Sequence, residues 1–236
     1  SVWAIHLTPE KKGLRPYGWE ALNRAEPAAN SDPQRGSLSG LTTRQAMRTW
    51  AFVATNLMYT LTVLPVYILM VHLAPYATDA GISPGAAAAA LGLMGMANLP
   101  GILLGGNVGD RIGWQKAFAY SNFGMAAATF WLLFAQELWM LYVFVVVFGV
   151  FWGARMTQIA GIIGVFFGTL ALAELTGIFE AISSMAGAAG PVLAGFTFDV
   201  SGTYSVVFIA SALFNLAAGA MALFTRSPNP RKAASV

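Results

Sequence analysis

Leu138-Trp-Met-Leu-Tyr-Val-Phe-Val-Val-Val-Phe-Gly-Val-Phe-Trp-Gly-Ala-Arg155-Met-Thr-Gln158-Ile-Ala-Gly-Ile-Ile163 is the stretch on which the reading of this chain turns. At about 1.5 Å per helical residue it outruns a bilayer core of roughly 30 Å, and Arg155 is its one charge. Five further apolar runs of similar length surround it, so the chain is read as an all-α membrane protein with six transmembrane helices. The runs are Trp50 to Leu73, Pro84 to Asn107, Ala117 to Ala135, Leu138 to Ile163, Thr176 to Phe198 and Tyr204 to Thr225.

Composition points the same way. Of 236 residues 57% are hydrophobic and 10% charged, where a soluble domain averages about 25% charged and needs them to cover its surface. The absence of cysteine excludes disulfides, thiol nucleophiles and thiolate metal sites, and two histidines are too few for an imidazole cluster. No metal, cofactor or enzymatic activity is expected.

The net charge of +3 does not indicate nucleic acid, because position matters more than the sum. Every basic residue except Arg155 lies before the first run, in the Arg111/Lys116 loop, or after the last run. These segments fall on one side of a six-span chain, so the positive-inside rule makes that side cytoplasmic. The opposite loops carry only the acids Asp79, Glu137 and Asp199, and the loop with Glu174 is the one that breaks the pattern. The expected organisation is a cytoplasmic linker over residues 1–48, a transmembrane domain over 49–225 and a cytoplasmic tail over 226–236. Ser1 to Leu7 resembles the end of an earlier membrane helix and lacks a signal peptide's charged start and cleavage site, so the chain is expected to be a fragment.

Local motifs sharpen the segmentation. Thr42 with Gln45 forms a capping box, and Ser83-Pro84 reads as N-cap followed by an N1 proline. Gly81-Ile-Ser83-Pro84-Gly85 imitates a nucleophile elbow, but Pro84 has no N–H to give an oxyanion, which removes the hydrolase reading. Small residues spaced by four, at Gly101/Gly105/Gly109, Gly149/Gly153, Gly164/Gly168 and Gly187, Gly190, Ala194, read as helix-packing stripes. Trp139, Tyr142 and Tyr204 read as aromatic-belt residues.

Polar residues inside the runs are the candidate site. Asn56, Tyr59, Thr60 and Tyr67 share one face of the first run, beside Pro65, and such a face must meet protein or water. It serves either interhelical hydrogen bonding or a solute-lined cavity. His72 lies near the outer end, a polar anchor or a proton-handling group. Arg155 and Glu180 sit in adjacent antiparallel runs at similar depth, and a central arginine costs about 3 kcal/mol to insert. They are read either as a structural ion pair or as an anion-binding and proton-coupling site, with Gln158 as a further substrate-binding candidate.

At these residues the sequence resembles the C-terminal half of a major facilitator superfamily transporter, helices seven to twelve, preceded by the central loop. Gly106-x-x-x-Asp110-Arg111-x-Gly113 is similar to the superfamily's cytoplasmic loop signature, with Trp114-Gln115 where a basic pair is expected. Three further stretches are similar to the monocarboxylate porter and oxalate:formate antiporter group: Pro9 to Gly18, His72 to Ser83, and Gly187 to Tyr204 with Gly190, Pro191, Gly195, Asp199 and Gly202. The resemblance implies one half of a 12-helix fold working by alternating access, and partners in membrane lipid and a missing N-terminal six-helix half. It also implies an embedded arginine that holds a substrate carboxylate, often on helix eight. That helix is uncharged here, which leaves Arg155 on helix ten as the basic candidate. The expected function is secondary transport of small organic anions, monocarboxylates first, in the plasma (inner) membrane. The alternatives are transport of a neutral or cationic solute such as a drug, and a non-transporting six-span scaffold or sensor.

Overall fold

Thr42 opens the first described helix as the capping box requires: its hydroxyl accepts from the Gln45 N–H, and the Gln45 side chain accepts from the Thr42 N–H at 3.0 Å. The computed structural model describes residues 40–228. The segments read as an earlier helix end, as the central linker before residue 40 and as the last part of the tail lie outside the described residues.

Among the described residues seven helices follow one another: α1 (Thr43–Met47), α2 (Trp50–Asp79), α3 (Pro84–Ile112), α4 (Trp114–Leu132), α5 (Leu138–Phe167), α6 (Leu172–Ser201) and α7 (Ser205–Phe224). Ser83 caps α3, its Oγ accepting from the Ala86 N–H ahead of Pro84 in the first turn. Gly113 and Gly168 end α3 and α5 at φ +90° and +87°, a region closed to most L-residues. α2 runs unbroken through Pro65 and Pro75, so Pro65 does not divide it into two half-helices.

Five of the six long helices are long and apolar enough to cross a bilayer on their own. α4 falls short in hydropathy because it carries Gln115, Lys116, Ser121, Asn122 and Thr129. Its place is secured by packing, since it lies between α5 and α7. The helices extend three to six residues beyond several of the expected run ends, and α6 begins at Leu172. Glu174 is therefore in the first turn of α6, where a carboxylate is favoured by the helix dipole and accepts from the Thr43 hydroxyl. This accounts for an acid on an otherwise basic end.

The helices pack in the order α6, α2, α7, α4, α5, α3, with α2 touching α3. One end of the bundle holds Arg44, Arg48, Arg111, Lys116 and Arg226, and is tied by Gln115 Nε2, which donates to the Ala222 carbonyl (3.0 Å) and to that of Thr225. The Leu41 N–H donates to the Phe167 carbonyl at 2.8 Å, fixing the entering chain to the end of α5. The other end holds Asp79, Glu137 and Asp199. There the Tyr76 hydroxyl donates to the carbonyls of Leu132 and Ala135 (2.8 and 3.0 Å), satisfying the C-terminus of α4. Tyr204 is stacked on Phe198 at 4.2 Å and 8% exposed, so it is a core residue of this end and not a belt residue. Trp139 is exposed as a belt residue would be.

The α3–α5 contact is the tightest in the bundle. A Cβ on Gly101 would lie 2.0 Å from the Val150 carbonyl oxygen, and one on Gly153 2.0 Å from that of Asn98. Backbone meets backbone here, as the spacing of small residues implies. The Gly164/Gly168 pair does not work this way: Gly164 faces open space and Gly168 is a turn.

Gly153→Ala should therefore force α3 and α5 apart at a cost of about 1–3 kcal/mol, whereas Gly106→Ala, with nothing near its Cβ, should be neutral or stabilising by up to about 1 kcal/mol. Thermal unfolding in detergent micelles checks both.

Candidate functional site

Five of the six long helices run from one apolar cluster into another, and α3 joins the first of them only. One cluster, toward the acidic end, includes Leu69, Leu73, Met94, Met125, Phe144, Phe148 and Phe208; the other, toward the basic end, includes Phe52, Met58, Phe118, Ile163, Phe167 and Phe179. Where they meet, the buried side chains are polar: Thr62 on α2, Asn98 on α3, Asn122 on α4, Arg155 and Gln158 on α5, Ser183 on α6, Ser211 and Asn215 on α7. A polar layer thus crosses the middle of the bundle.

Arg155 is 3% exposed, and its Nε and Nη1 have no hydrogen-bond partner. Its guanidinium lies over the ring of Tyr59, 5.1 Å from the centroid, a cation–π contact. The Tyr59 hydroxyl donates to the carboxylate of Glu180, which is on the exposed face of α6. The two charges read from the sequence as neighbours are thus joined through a phenol. Among the described residues no ion pair links them directly. A buried guanidinium with open N–H groups is able to take an acceptor, and the fork of a guanidinium matches the two oxygens of a carboxylate.

The other expected residues fall into two groups. Asn56 and Gln158 are buried, with Asn56 Nδ2 and Gln158 Oε1 unpartnered. They lie one turn toward the basic end from Tyr59 and Arg155 on their own helices, so they extend the same polar strip. Thr60, Tyr67 and His72 instead join α2 to α6. Thr60 Oγ1 is 3.0 Å from Ser183 Oγ, Tyr67 packs where a Cβ on Gly187 would come within 3.2 Å of it, and His72 Nε2 donates to the Pro191 carbonyl at 2.9 Å. The Gly187 and Gly190 stripe receives Val63 and Tyr67, and Leu64 and Ile68, of α2.

Sequence reading passed over Asn98, Asn122, Ser183, Ser211 and Asn215. Their signal is an isolated polar residue midway along an apolar run. Asn215 accepts from Thr62 Oγ1 at 3.3 Å, while its amide and that of Asn122 donate to carbonyls one turn back, at 3.1 and 2.8 Å.

Asp110, Arg111 and Gly113 form the α3–α4 corner at the basic end, around a pocket of about 260 Å³ that also takes in Lys116, Ile162 and Phe166, while Gly106 lies farther back in α3 and does not line it. Trp114 holds this corner: its indole fills a slot between Gly109 and Gly161, where a Cβ would come within 2.3 and 2.1 Å of the ring. No group of His, Asp and Glu side chains fit to hold a metal occurs among the described residues.

Residues 53–236 match the family model described as Major Facilitator Superfamily. Monocarboxylate transporter 12 of Rattus norvegicus and that of Mus musculus are each 28% identical to the chain over 146 residues, covering 60% of it and 30% of the relative. The chain thus spans about a third of the length of these curated relatives. The crystal structure of the E. coli fucose:proton symporter superposes with a TM-score of 0.67 at 17% identity, covering 87% of this chain and 51% of the symporter. The likeness to the symporter is one of fold.

The Thr60–Ser183 bond should couple its partners modestly. A double-mutant cycle with Thr60→Val and Ser183→Ala, read by thermal unfolding in micelles, should give about 0.6 kcal/mol, the usual size inside a membrane bundle.

Proposed function

Because the chain belongs to the major facilitator superfamily, we propose that it is one half of a secondary transporter that carries small organic anions, monocarboxylates first, across the plasma membrane. The observation that carries this reading is Arg155, a guanidinium 3% exposed in the polar mid-layer with two nitrogens unpartnered. Solute sites in such transporters lie near the bilayer midplane. Arg155 binds the carboxylate there through paired N–H bonds, and Asn56 and Gln158 supply a donor and an acceptor one turn toward the basic end. Tyr67 and Thr60 border the same face of α2 and join it to α6. His72 sits farther toward the acidic end. The 28% identity to monocarboxylate transporter 12 supports the substrate class.

The six-helix unit works against a second unit of like size, in keeping with its coverage of 51% of the fucose:proton symporter. Alternating access exposes the Arg155 layer first to one side and then to the other. The basic end faces the cytoplasm, as the distribution of Arg44, Arg48, Arg111, Lys116 and Arg226 requires under the positive-inside rule.

Orientation is checked by cysteine labelling. Cysteines introduced at Asp79, Glu137 and Asp199 should react with an impermeant thiol reagent applied outside, and one at Lys116 only after permeabilisation. Outside labelling at Lys116 overturns the orientation.

Arg155→Lys, made in the protein encoded by the complete reading frame, should lower carboxylate uptake by about tenfold or more with normal membrane insertion, since an ammonium cannot form the two parallel bonds. If Arg155 is instead a structural partner of Glu180, Arg155→Gln with Glu180→Gln should restore the parent rate while Arg155→Gln alone does not.

A further inference from the structure

An arginine and a glutamate within reach of each other in a medium of low dielectric will pair, because their attraction grows as water is excluded. A guanidinium already paired with an internal carboxylate is a poor receptor for an external one, since the internal partner is present at a high effective concentration. Arg155 lies over the ring of Tyr59 and Glu180 accepts from its hydroxyl, yet the two charges are not paired with each other. Tyr59, 4% exposed, stands between them.

We infer that Tyr59 is a positioning residue that keeps Arg155 and Glu180 apart, so that the guanidinium stays open to the transported anion. The inference rests on the reading of Arg155 as the anion anchor. Only a residue with two different faces can do this. The guanidinium lies over the ring of Tyr59 and keeps Nε and Nη1 unpartnered. The Tyr59 hydroxyl donates to Glu180 and so occupies the carboxylate on the exposed side of the cluster. Each charge is stabilised by a neutral group, and neither cancels the other. Phenylalanine retains the first contact and loses the second; alanine loses both and leaves the space through which the long arginine side chain reaches the carboxylate.

The experiment compares the Arg155–Glu180 coupling with and without the ring. Arg155→Gln, Glu180→Gln and the double variant are made in the full-length protein, once with Tyr59 and once with Tyr59→Ala, and the melting temperature of each is measured in micelles. The non-additivity should be larger in the Tyr59→Ala set by about 2–4 °C for each kcal/mol of new ion pairing. Equal or smaller coupling without the ring overturns the inference. If the Tyr59→Ala set does not fold, Tyr59→Leu provides the same comparison.

A transport arm uses proteoliposomes and radiolabelled lactate and acetate as probe monocarboxylates. Tyr59→Ala should raise the KM by about tenfold, which is about 1.4 kcal/mol of lost binding, and Tyr59→Ala with Glu180→Gln should return it toward the parent value. An unrescued loss points to a substrate-contacting ring and overturns the spacer role. The two readings fail separately: if Arg155 is not the anchor, Arg155→Lys leaves uptake intact while the coupling in micelles still rises on removing Tyr59.

Discussion

Hydrocarbon gives membrane helices no hydrophobic reason to associate, so the bundle depends on surfaces that bring backbones together. Gly101, Gly105, Gly149 and Gly153 provide the closest of these, with carbonyls of Val150 and Asn98 occupying the space where side chains would stand. The contact also sets the rotation of α5. Arg155 is two residues beyond Gly153, about 200° around a helix of 3.6 residues per turn, so seating Gly153 against α3 turns Arg155 away from α3 toward the interior. The costly charge is thus aimed by a pair of glycines.

The polar mid-layer is a weak structural device and a strong chemical one. Hydrogen bonds between membrane helices average well under a kcal/mol, so Thr62–Asn215 and Thr60–Ser183 add little to the packing of Phe144, Phe148, Phe118 and Phe167 above and below them. Their placement matters more than their strength. Apolar clusters flank the layer toward both ends of the bundle, and most of the buried polar side chains among the described residues lie between. Unsatisfied atoms are found here too: Asn122 Oδ1, Gln158 Oε1, Ser211 Oγ and the arginine nitrogens, with Thr55 Oγ1 and Asn56 Nδ2 on α2 toward the basic end. A native core leaves few such atoms without cause, and the proposed solute site would supply one.

The arrangement around Tyr59 shows how a site carries charge without cancelling it. Glu180 lies toward the open face, Arg155 lies behind, and the ring between them satisfies one with a hydroxyl and the other with a π face. Glu174 is stabilised differently, by a helix N-terminus and the Thr43 hydroxyl. The same residue type thus serves end-capping in one place and the proposed site in the other, and only position distinguishes them.

Features governed by near neighbours in the chain were readable from the amino acids alone. The Thr42/Gln45 box, the Ser83-Pro84 start and the six apolar runs depend on spacing and solvent preference, and α4 was found although its own hydropathy is marginal. The identity of the chemically expensive residues, Arg155 and Glu180, was readable too, because a charge in an apolar run is conspicuous whatever it touches. What they touch was decided by tertiary structure. Helix depth gives a residue's level but not which neighbour stands between two residues at that level, so Tyr59 could be read as a ligand and is found as the bridge. For the same reason equal four-residue spacing proved to be close packing at Gly149/Gly153 and a turn at Gly168, since spacing fixes a face and only the packed bundle fixes what that face meets.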